Sequence, residues 1–354
     1  MSISEAHDFF IQWHLTERCN LRCTHCYQTG AWTDELSFDE IKEVIGEVDE
    51  MLRSWTENYG LDFAPSFNVT GGEPFLRHDL FEILSEIGSR GFNIYLLTNG
   101  TLVTPDAARR LAGQGVKGVQ VSIEGPEAVH DRIRGRGSFI KAVFGIGYLL
   151  DAGIPVTLNA TLSRINADHL MDFVALASQL GVPRLGFSRL VPAGRGRGLL
   201  SEMLEPQEVK RLYEAAFSVH APGLEIVTGD PVASQMQGDQ GEDRGDTPIG
   251  GCAAGVSGLT FLPDGTITPC RRLPIPIGNI REDLLREVWA TSDVLNRLRD
   301  RNQYSGSCGR CVRWANCRGC RAIGYAYAQS QGRDDFLAED PQCYITTGKG
   351  KNEG

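Results

Sequence analysis

Cys19, Cys23 and Cys26 stand within eight residues, with Tyr27 directly after them. Three thiolates at that spacing can hold three irons of a cubane cluster and leave the fourth iron open to a ligand. Zinc is the competing chemistry, since His25 would complete a set of three thiolates and one imidazole. His25 and Cys26 are sequence neighbours, however, and would strain to reach one tetrahedral ion together. The other seven of the ten cysteines all lie from Cys252 onward: Cys252, Cys270, Cys308, Cys311, Cys317, Cys320 and Cys343. Four of them would suit one zinc. All seven suit one fully ligated four-iron cluster plus a second held by three cysteines. Arg271, Arg272, Arg310, Arg313, Arg318 and Arg321 lie among them. Guanidinium groups there would offset the negative charge of a thiolate-ligated cluster and donate to its sulfurs, or form a docking patch for an acidic partner.

Further groups with chemical potential fall at the ends of apolar runs. Thr70-Gly71-Gly72-Glu73-Pro74 combines glycines that let backbone approach a ligand with a carboxylate suited to an amine. Thr98-Asn99-Gly100, Ser122-Ile123-Glu124-Gly125 and Asn159-Ala160-Thr161 close later runs. The loop from Leu190 to Gly198 reads as flexible and basic, and Arg195 in it could grip a carboxylate.

The elements that must position these groups alternate regularly. Strands are expected over 9–15, 66–70, 93–98, 118–123, 155–161 and 184–189, and helices over 37–55, 80–89, 105–112, 139–152, 167–180 and 206–219. Ser37 with Glu40 three residues later forms a capping-box signature for the first helix. Six strand-helix units of this kind give an α/β fold with parallel strands and right-handed crossovers, a partial (β/α)6 TIM-like barrel short of the usual eight. Ligands of such sheets gather at the C-terminal strand ends, where the cysteine loop and the three polar strand ends fall. The expected organisation is a barrel core over 1–228, a linker or lid over 229–250, a small C-terminal cysteine-rich iron-sulfur domain over 251–345 with a hairpin turning at Pro263-Asp264-Gly265, and a frayed tail over 346–354.

Composition narrows the class. A chain of 354 residues with 41% hydrophobic content can build a real core. Its formal net charge of -10 opposes a nucleic-acid partner. No run of eighteen apolar residues suggests a membrane span, and residues 1–8 have neither a basic nor a leader-like apolar stretch, so a cytoplasmic protein is expected. Ten cysteines without an export signal read as metal ligands rather than disulfides.

The pattern Cys19-x-x-x-Cys23-x-x-Cys26-Tyr27, followed by Gly71-Gly72-Glu73, resembles the radical S-adenosylmethionine (SAM) superfamily. That resemblance implies a [4Fe-4S] cluster on Cys19, Cys23 and Cys26, with SAM on its open iron. Gly71, Gly72 and Glu73 would hold the methionyl amine, Tyr27 would stack near adenine, and Asn99, Ser122, Glu124 and Asn159 are candidates for ribose or methionyl contacts. The cysteines from Cys252 onward resemble the SPASM extension of such enzymes, which carries auxiliary clusters. By resemblance Cys308, Cys311, Cys317 and Cys343 would hold the distal cluster, and Cys252, Cys270 and Cys320 the proximal one. The interval from Cys317 to Cys320 is a residue shorter than in the commonest SPASM pattern.

The implied activity is reductive cleavage of SAM to a 5'-deoxyadenosyl radical that abstracts hydrogen from a substrate, with a peptide matured after translation as the leading class. Arg271 stands where the sulfatase-maturing subtype has an aspartate base, which disfavours formylglycine formation. The run from Cys320 to Tyr327, with the segment from Asp335 to Cys343, also resembles heme-type tetrapyrrole-modifying members, the alternative substrate class. An iron-sulfur electron carrier would need neither the glycine-glutamate motif nor a barrel. Implied partners are a peptide or small-molecule substrate, a low-potential donor such as flavodoxin or ferredoxin, and a separate leader-peptide-binding protein if the substrate is a peptide.

Overall fold

The computed structural model describes residues 7–30, 34–236 and 245–345. The tail over 346–354 and residues 237–244 of the expected linker lie outside the described residues. Strands β1 (His7–His14), β2 (Phe63–Thr70), β3 (Asn93–Thr98), β4 (Gly118–Ser122), β5 (Val156–Leu162) and β6 (Arg184–Arg189) pair in parallel, in sequence order. The crossovers carry helices α1 (Phe38–Tyr59), α2 (Leu80–Ser89), α3 (Pro105–Gly113), α4 (Glu127–Arg134), α5 (Ser138–Asp151), α6 (Leu170–Gln179) and α7 (Pro206–Phe217). This is the partial barrel that the alternation predicts.

Ser37 caps α1 as expected: its hydroxyl accepts from the Glu40 amide at 3.3 Å while Glu40 accepts from the Ser37 amide at 2.7 Å. Helix α4 is not among the expected elements. Only His130 and Ile133 of its eight residues are buried, so it carries no apolar period long enough to register. Its remaining signals are Pro126 ahead of it, Glu127 in its first turn, Arg132 and Arg134 in its last, and Gly135 beyond.

Barrel strands buried on both faces are ordinarily apolar throughout. Here one face is. Ile11, Trp13, Phe67, Val69, Leu96, Val121 and Leu158 pack into the main core, while Gln12, Asn68, Gln120, Asn159 and Ser188 face inward. Polar side chains that need water or a ligand do not collapse onto one another. The interior stays open as a cavity of about 460 Å³.

The sheet continues past both barrel edges. Strand β7 (Glu225–Val227) lies beside β6, and β8 (Gly258–Phe261) pairs in parallel with β1, setting Phe261 opposite Trp13. Strand β9 (Thr266–Thr268) returns antiparallel to β8 around the expected Pro263-Asp264-Gly265 turn, and β10 (Gly278–Asn279) completes ten strands. The cysteine-rich hairpin is therefore hydrogen-bonded directly to the first barrel strand. Helices α8 (Leu285–Thr291), α9 (Asp293–Arg299), α10 (Gly306–Gly309) and α11 (Arg321–Ser330) follow. No helix among the described residues is long and apolar enough to cross a membrane.

The start of the stretch read as a linker is tightly packed, with Asp230, Val232 and Ala233 buried. The cause is Arg189, at the end of β6 and fully buried. Its guanidinium donates to Asp230 at 2.6 and 2.9 Å, to Asp340 at 2.9 and 2.7 Å, and to Gln342 at 3.2 Å. Tyr213 of α7 adds a bond to Asp230 at 2.7 Å, and Asp340 also accepts from the Cys320 amide at 2.8 Å. One cation thus joins the barrel to both ends of the last cysteine segment. Removing one partner of such a buried set leaves uncompensated charge, costing about 3–5 kcal/mol. Asp340→Ala is expected to lose about that much in anaerobic urea unfolding of the holoprotein. Arg184→Ala, which breaks only the exposed Arg184–Glu225 pair, is expected to lose under about 1 kcal/mol.

Candidate active site and cluster cavities

The cysteine loop leaves β1 and is fastened from beneath by the end of β2. The Gly72 amide donates to the Thr16 carbonyl at 2.7 Å, and the Glu73 amide to the Arg18 carbonyl at 2.8 Å. That approach requires glycine: a Cβ on Gly72 would sit 2.3 Å from the Arg18 carbonyl oxygen. The end of β3 adds a second tie, with the Asn99 side chain donating to Asn20 at 2.9 Å and Asn20 donating to Thr101 at 2.8 Å.

Above this floor a cavity of about 150 Å³ is lined by Cys19, Cys23 and Cys26. Of the other sequence candidates, Tyr27, Gly71, Gly72, Asn99, Ser122, Asn159 and Arg195 also line it. Glu73 and Glu124 do not. Glu73 is fully buried below the wall, where its carboxylate accepts from the Thr98 hydroxyl at 2.7 Å, the Asn99 amide at 2.8 Å and the Phe75 amide at 3.4 Å. Burial pushes its carboxyl up to about 7 against these bonds. Glu124 accepts from Arg134 at 2.8 and 2.5 Å and from the Thr161 amide at 2.8 Å, and its Oε1 lies 3.0 Å from His25 Nε2. Burial alone would raise the Glu124 carboxyl, but Arg134, His25 and the Thr161 amide outweigh it and hold it well below the usual range. His25, the residue that would complete a zinc set, is thus turned to a carboxylate.

The loop read as flexible is ordered against the cysteines. The Arg195 amide donates to the Gln28 carbonyl at 3.3 Å and the Gly196 amide to the Cys26 carbonyl at 3.0 Å. Gly194 makes this possible, because with φ of +56° it brings the loop so near that a Cβ would lie 2.1 Å from the Tyr27 carbonyl oxygen. Arg195 is therefore set in the cavity wall rather than mobile.

One wall residue, Arg134, and one residue buried behind the wall, His14, escaped the sequence reading. Arg134 lies on the unexpected helix α4, and its Nη1 reaches Cys23 Sγ at 3.8 Å. His14, at the end of β1, sits with Nε2 3.3 Å from the Tyr27 hydroxyl and Nδ1 3.2 Å from Gln28 Nε2. Burial, aided by Arg271, holds His14 neutral by pushing its pKa down to about 3. Gln28 Nε2 also donates to Glu17 at 3.2 Å, so it must be a donor to His14 Nδ1 as well. The His14 proton then sits on Nε2 and points at the Tyr27 oxygen, leaving the Tyr27 hydroxyl hydrogen for the cavity. A histidine in a strand carries no sequence signal for this role.

The remaining cysteines fall into two groups. Cys308, Cys311, Cys317 and Cys343 line one small cavity. Cys252, Cys270 and Cys320 line the barrel-interior cavity with Arg272 and Arg321. The short interval between Cys317 and Cys320 is accommodated by consecutive left-handed residues, Arg318 and Gly319, both with φ of 61°. Arg318 is anchored by bonds from its guanidinium to the Ala315 carbonyl at 2.9 Å and to the Cys252 carbonyl. That reversal directs the two cysteines into different cavities.

The donor set suits thiolate-held clusters. Burial pushes the Cys19 thiol up to about 11 and raises Cys23, Cys308 and Cys320, so bare thiolates are penalised and a cationic group is needed to hold them. Donors already face the sulfurs: the Leu21 amide to Cys19 at 3.4 Å, the Gly319 amide to Cys317 at 3.4 Å, and Arg321 to Cys308 at 3.7 Å. Buried Nε atoms of Arg195, Arg272, Arg318 and Arg321 have no protein partner among the described residues.

Residues 13–177 match the model of the radical SAM superfamily, and residues 252–321 match that of the SPASM iron-sulfur cluster-binding domain. The chain is 33% identical to the AdoMet-dependent heme synthase of Methanosarcina barkeri, across 96% of this chain and 97% of that protein. The chain belongs to the radical SAM superfamily. It is also 32% identical to the mycofactocin maturase MftC of Mycolicibacterium smegmatis, over 89% of this chain and 78% of that one. Among solved structures, anSMEcpe with bound AdoMet superposes with a TM-score of 0.71 at 18% identity, covering 95% of this chain and 93% of that chain, which shows the shared fold. The protein is a radical SAM/SPASM enzyme that uses SAM, a [4Fe-4S] cluster and auxiliary iron-sulfur clusters, and it needs a substrate and a reductant.

Two measurements check this site. Because the Glu73 pKa is raised in the folded state from 4.5 to about 7, the folded protein holds that proton more tightly, and the stability so gained is lost as pH rises through 7. Wild type is expected to lose about 1 kcal/mol of stability between pH 6 and 8 that Glu73→Gln does not lose, read from urea midpoints. Replacing Cys19, Cys23 and Cys26 together with Ala is expected to leave about eight irons in the anaerobic protein. Fewer than about seven would remove one auxiliary four-iron cluster from the account.

Proposed function

We propose that this radical SAM enzyme removes hydrogen from a carboxylate-bearing side chain of a heme-type tetrapyrrole. The observation that carries the reading is the charge of the two joined cavities. Arg134, Arg189, Arg195, Arg271, Arg272 and Arg321 line them, and no Asp or Glu does so among the described residues. Arg134 and Arg189 are neutralised by buried carboxylates and Arg272 and Arg321 face cysteines, which leaves Arg195 and Arg271 as the charges open to an anionic ligand. The interior cavity opens onto the cavity of the Cys19 loop, so a ligand can extend across both. Relatedness along nearly the whole chain to a protein named heme synthase supports the same class.

In this reading Cys19, Cys23 and Cys26 would hold the SAM-binding cluster, and Gly71, Gly72, Ser122 and Asn159, which line the same cavity, would hold SAM. Bound there, SAM and its cluster supply a 5'-deoxyadenosyl radical that takes a hydrogen atom from the substrate. Tyr27 presents its hydroxyl to the cavity under His14, Asn99 in the wall ties down the cysteine loop, and Glu73 and Glu124 act from behind the wall by fixing the end of β3, His25 and Arg134. Cys308, Cys311, Cys317 and Cys343 hold one auxiliary cluster, and Cys252, Cys270 and Cys320 the other, with Arg272 and Arg321 offsetting their charge. The core over 1–228 and the cluster region over 251–345 act as one site, in a reducing cytoplasm, with a flavodoxin or ferredoxin as donor.

A ribosomal peptide is the second reading, favoured by the mycofactocin maturase relationship. It would bring a separate leader-binding protein.

With reductant and SAM, a tetrapropionate porphyrin deuterated in its side chains is expected to yield deuterated 5'-deoxyadenosine by mass spectrometry. Label arriving instead from a deuterated peptide encoded beside the gene would transfer the activity to the second class.

A further inference from the structure

We propose that Arg271 is the anchor for a substrate carboxylate, held in position by Gln12 where the two cavities meet. The inference rests on the anionic-substrate reading above and assigns it to one side chain.

Six residues border both cavities: Leu97, Gln120, Asn159, Ser188, Arg271 and Arg272. A ligand spanning from the Cys19 loop to the Cys252 group must pass them. Four are neutral, so the two arginines are the only charges at the junction among the described residues.

Of the other wall arginines two are consumed by buried carboxylates, two face cysteines, and Arg195 borders the cavity of the Cys19 loop but not the barrel interior. Arg134 is paired with Glu124, and Arg189 with Asp230 and Asp340. Arg272 is fully buried, and its charge is felt by Cys320 and Cys270. Arg321 donates to the Ala338 carbonyl at 2.7 Å and faces Cys308. Arg195 acts on Glu17 and also borders an outer cleft on the far side of the cysteine loop.

Arg271 differs. It borders both cavities, has no ion pair with an Asp or Glu among the described residues, and is held by a neutral side chain. Its Nη1 donates to Gln12 Oε1 at 3.0 Å, and that is a neutral acceptor. The amide is fixed in turn, since Gln12 is buried and its Nε2 donates to the Asn68 carbonyl at 3.1 Å. Gln12 is also held in the ladder, opposite Asn68 of β2 and Thr260 of β8. A guanidinium presents five donors in a planar fork. With one of them committed to a rigid strand, the rest are oriented toward the cavity at little further entropic cost. A carboxylate is the ligand whose two oxygens match such a fork.

The test titrates the anaerobically reconstituted holoenzyme, with saturating SAM, with a tetrapropionate porphyrin and with its tetramethyl ester, following the porphyrin absorption band. Wild type is expected to bind the acid at least about tenfold more tightly than the ester. Arg271→Gln is expected to bring that ratio to within about twofold, and Arg271→Lys to restore part of it by returning the charge without the fork. A side chain that merely supports the wall would weaken acid and ester together, so an unchanged ratio in Arg271→Gln overturns the assignment. If wild type binds neither porphyrin, the tetrapyrrole reading fails, and the same comparison is made with the neighbour-encoded peptide as free acid and as C-terminal amide. Loss of acid preference in Arg271→Gln then sustains the anchor; an intact preference, or none in wild type, overturns it.

Discussion

A guanidinium cut off from water must be surrounded by oxygen, and the position of Arg189 makes that requirement govern the architecture. Its carboxylate partners come from residue 230, beyond β7, and residue 340, near the end of the described chain. Neither could supply the charge from its own local element. Only when the chain has returned across the barrel mouth is the cation satisfied, and the same return sets the Cys320 amide on Asp340. The pairing of β8 with β1 closes the other side of the molecule. The two cysteine-bearing regions are consequently walls of one interior, although nearly all the barrel separates them in sequence.

That interior exists because the inner face of the sheet is polar. Gln12, Asn68, Gln120, Asn159 and Ser188 occupy positions that a filled barrel would give to branched aliphatics. Their cost in burial is offset by hydration or by a ligand. The resulting space runs from the loop of Cys19, Cys23 and Cys26 to the group of Cys252, Cys270 and Cys320, so chemistry begun at one end has a physical route to the other.

Much of this was legible in the sequence, because spacing is local information. Cysteine intervals, the Ser37 capping box and the six strand-helix alternations each state their structure within a few residues. Long-range satisfaction of charge is not written that way. Glu73 and Glu124 carry the signature of ligand groups, yet their carboxylates are consumed by Thr98, Asn99, Arg134 and His25, which lie on distant strand ends, helices and loops. Arg134 was hidden because its helix has only two buried residues. Gly194 and Gly196 suggest flexibility from composition, whereas in place they permit close contact with the cysteine loop.

The reversal at Arg318 and Gly319 ties two compartments by a very short tether. Cys317 opens on the cavity with Cys308, Cys311 and Cys343, and Cys320 on the one with Cys252 and Cys270. Backbone this short and this constrained fixes the spacing of the two sulfurs, so the position of one limits where the other can stand. Filling either compartment therefore presets the second, and the pair is expected to mature, and to be lost under oxidation, as a concerted unit.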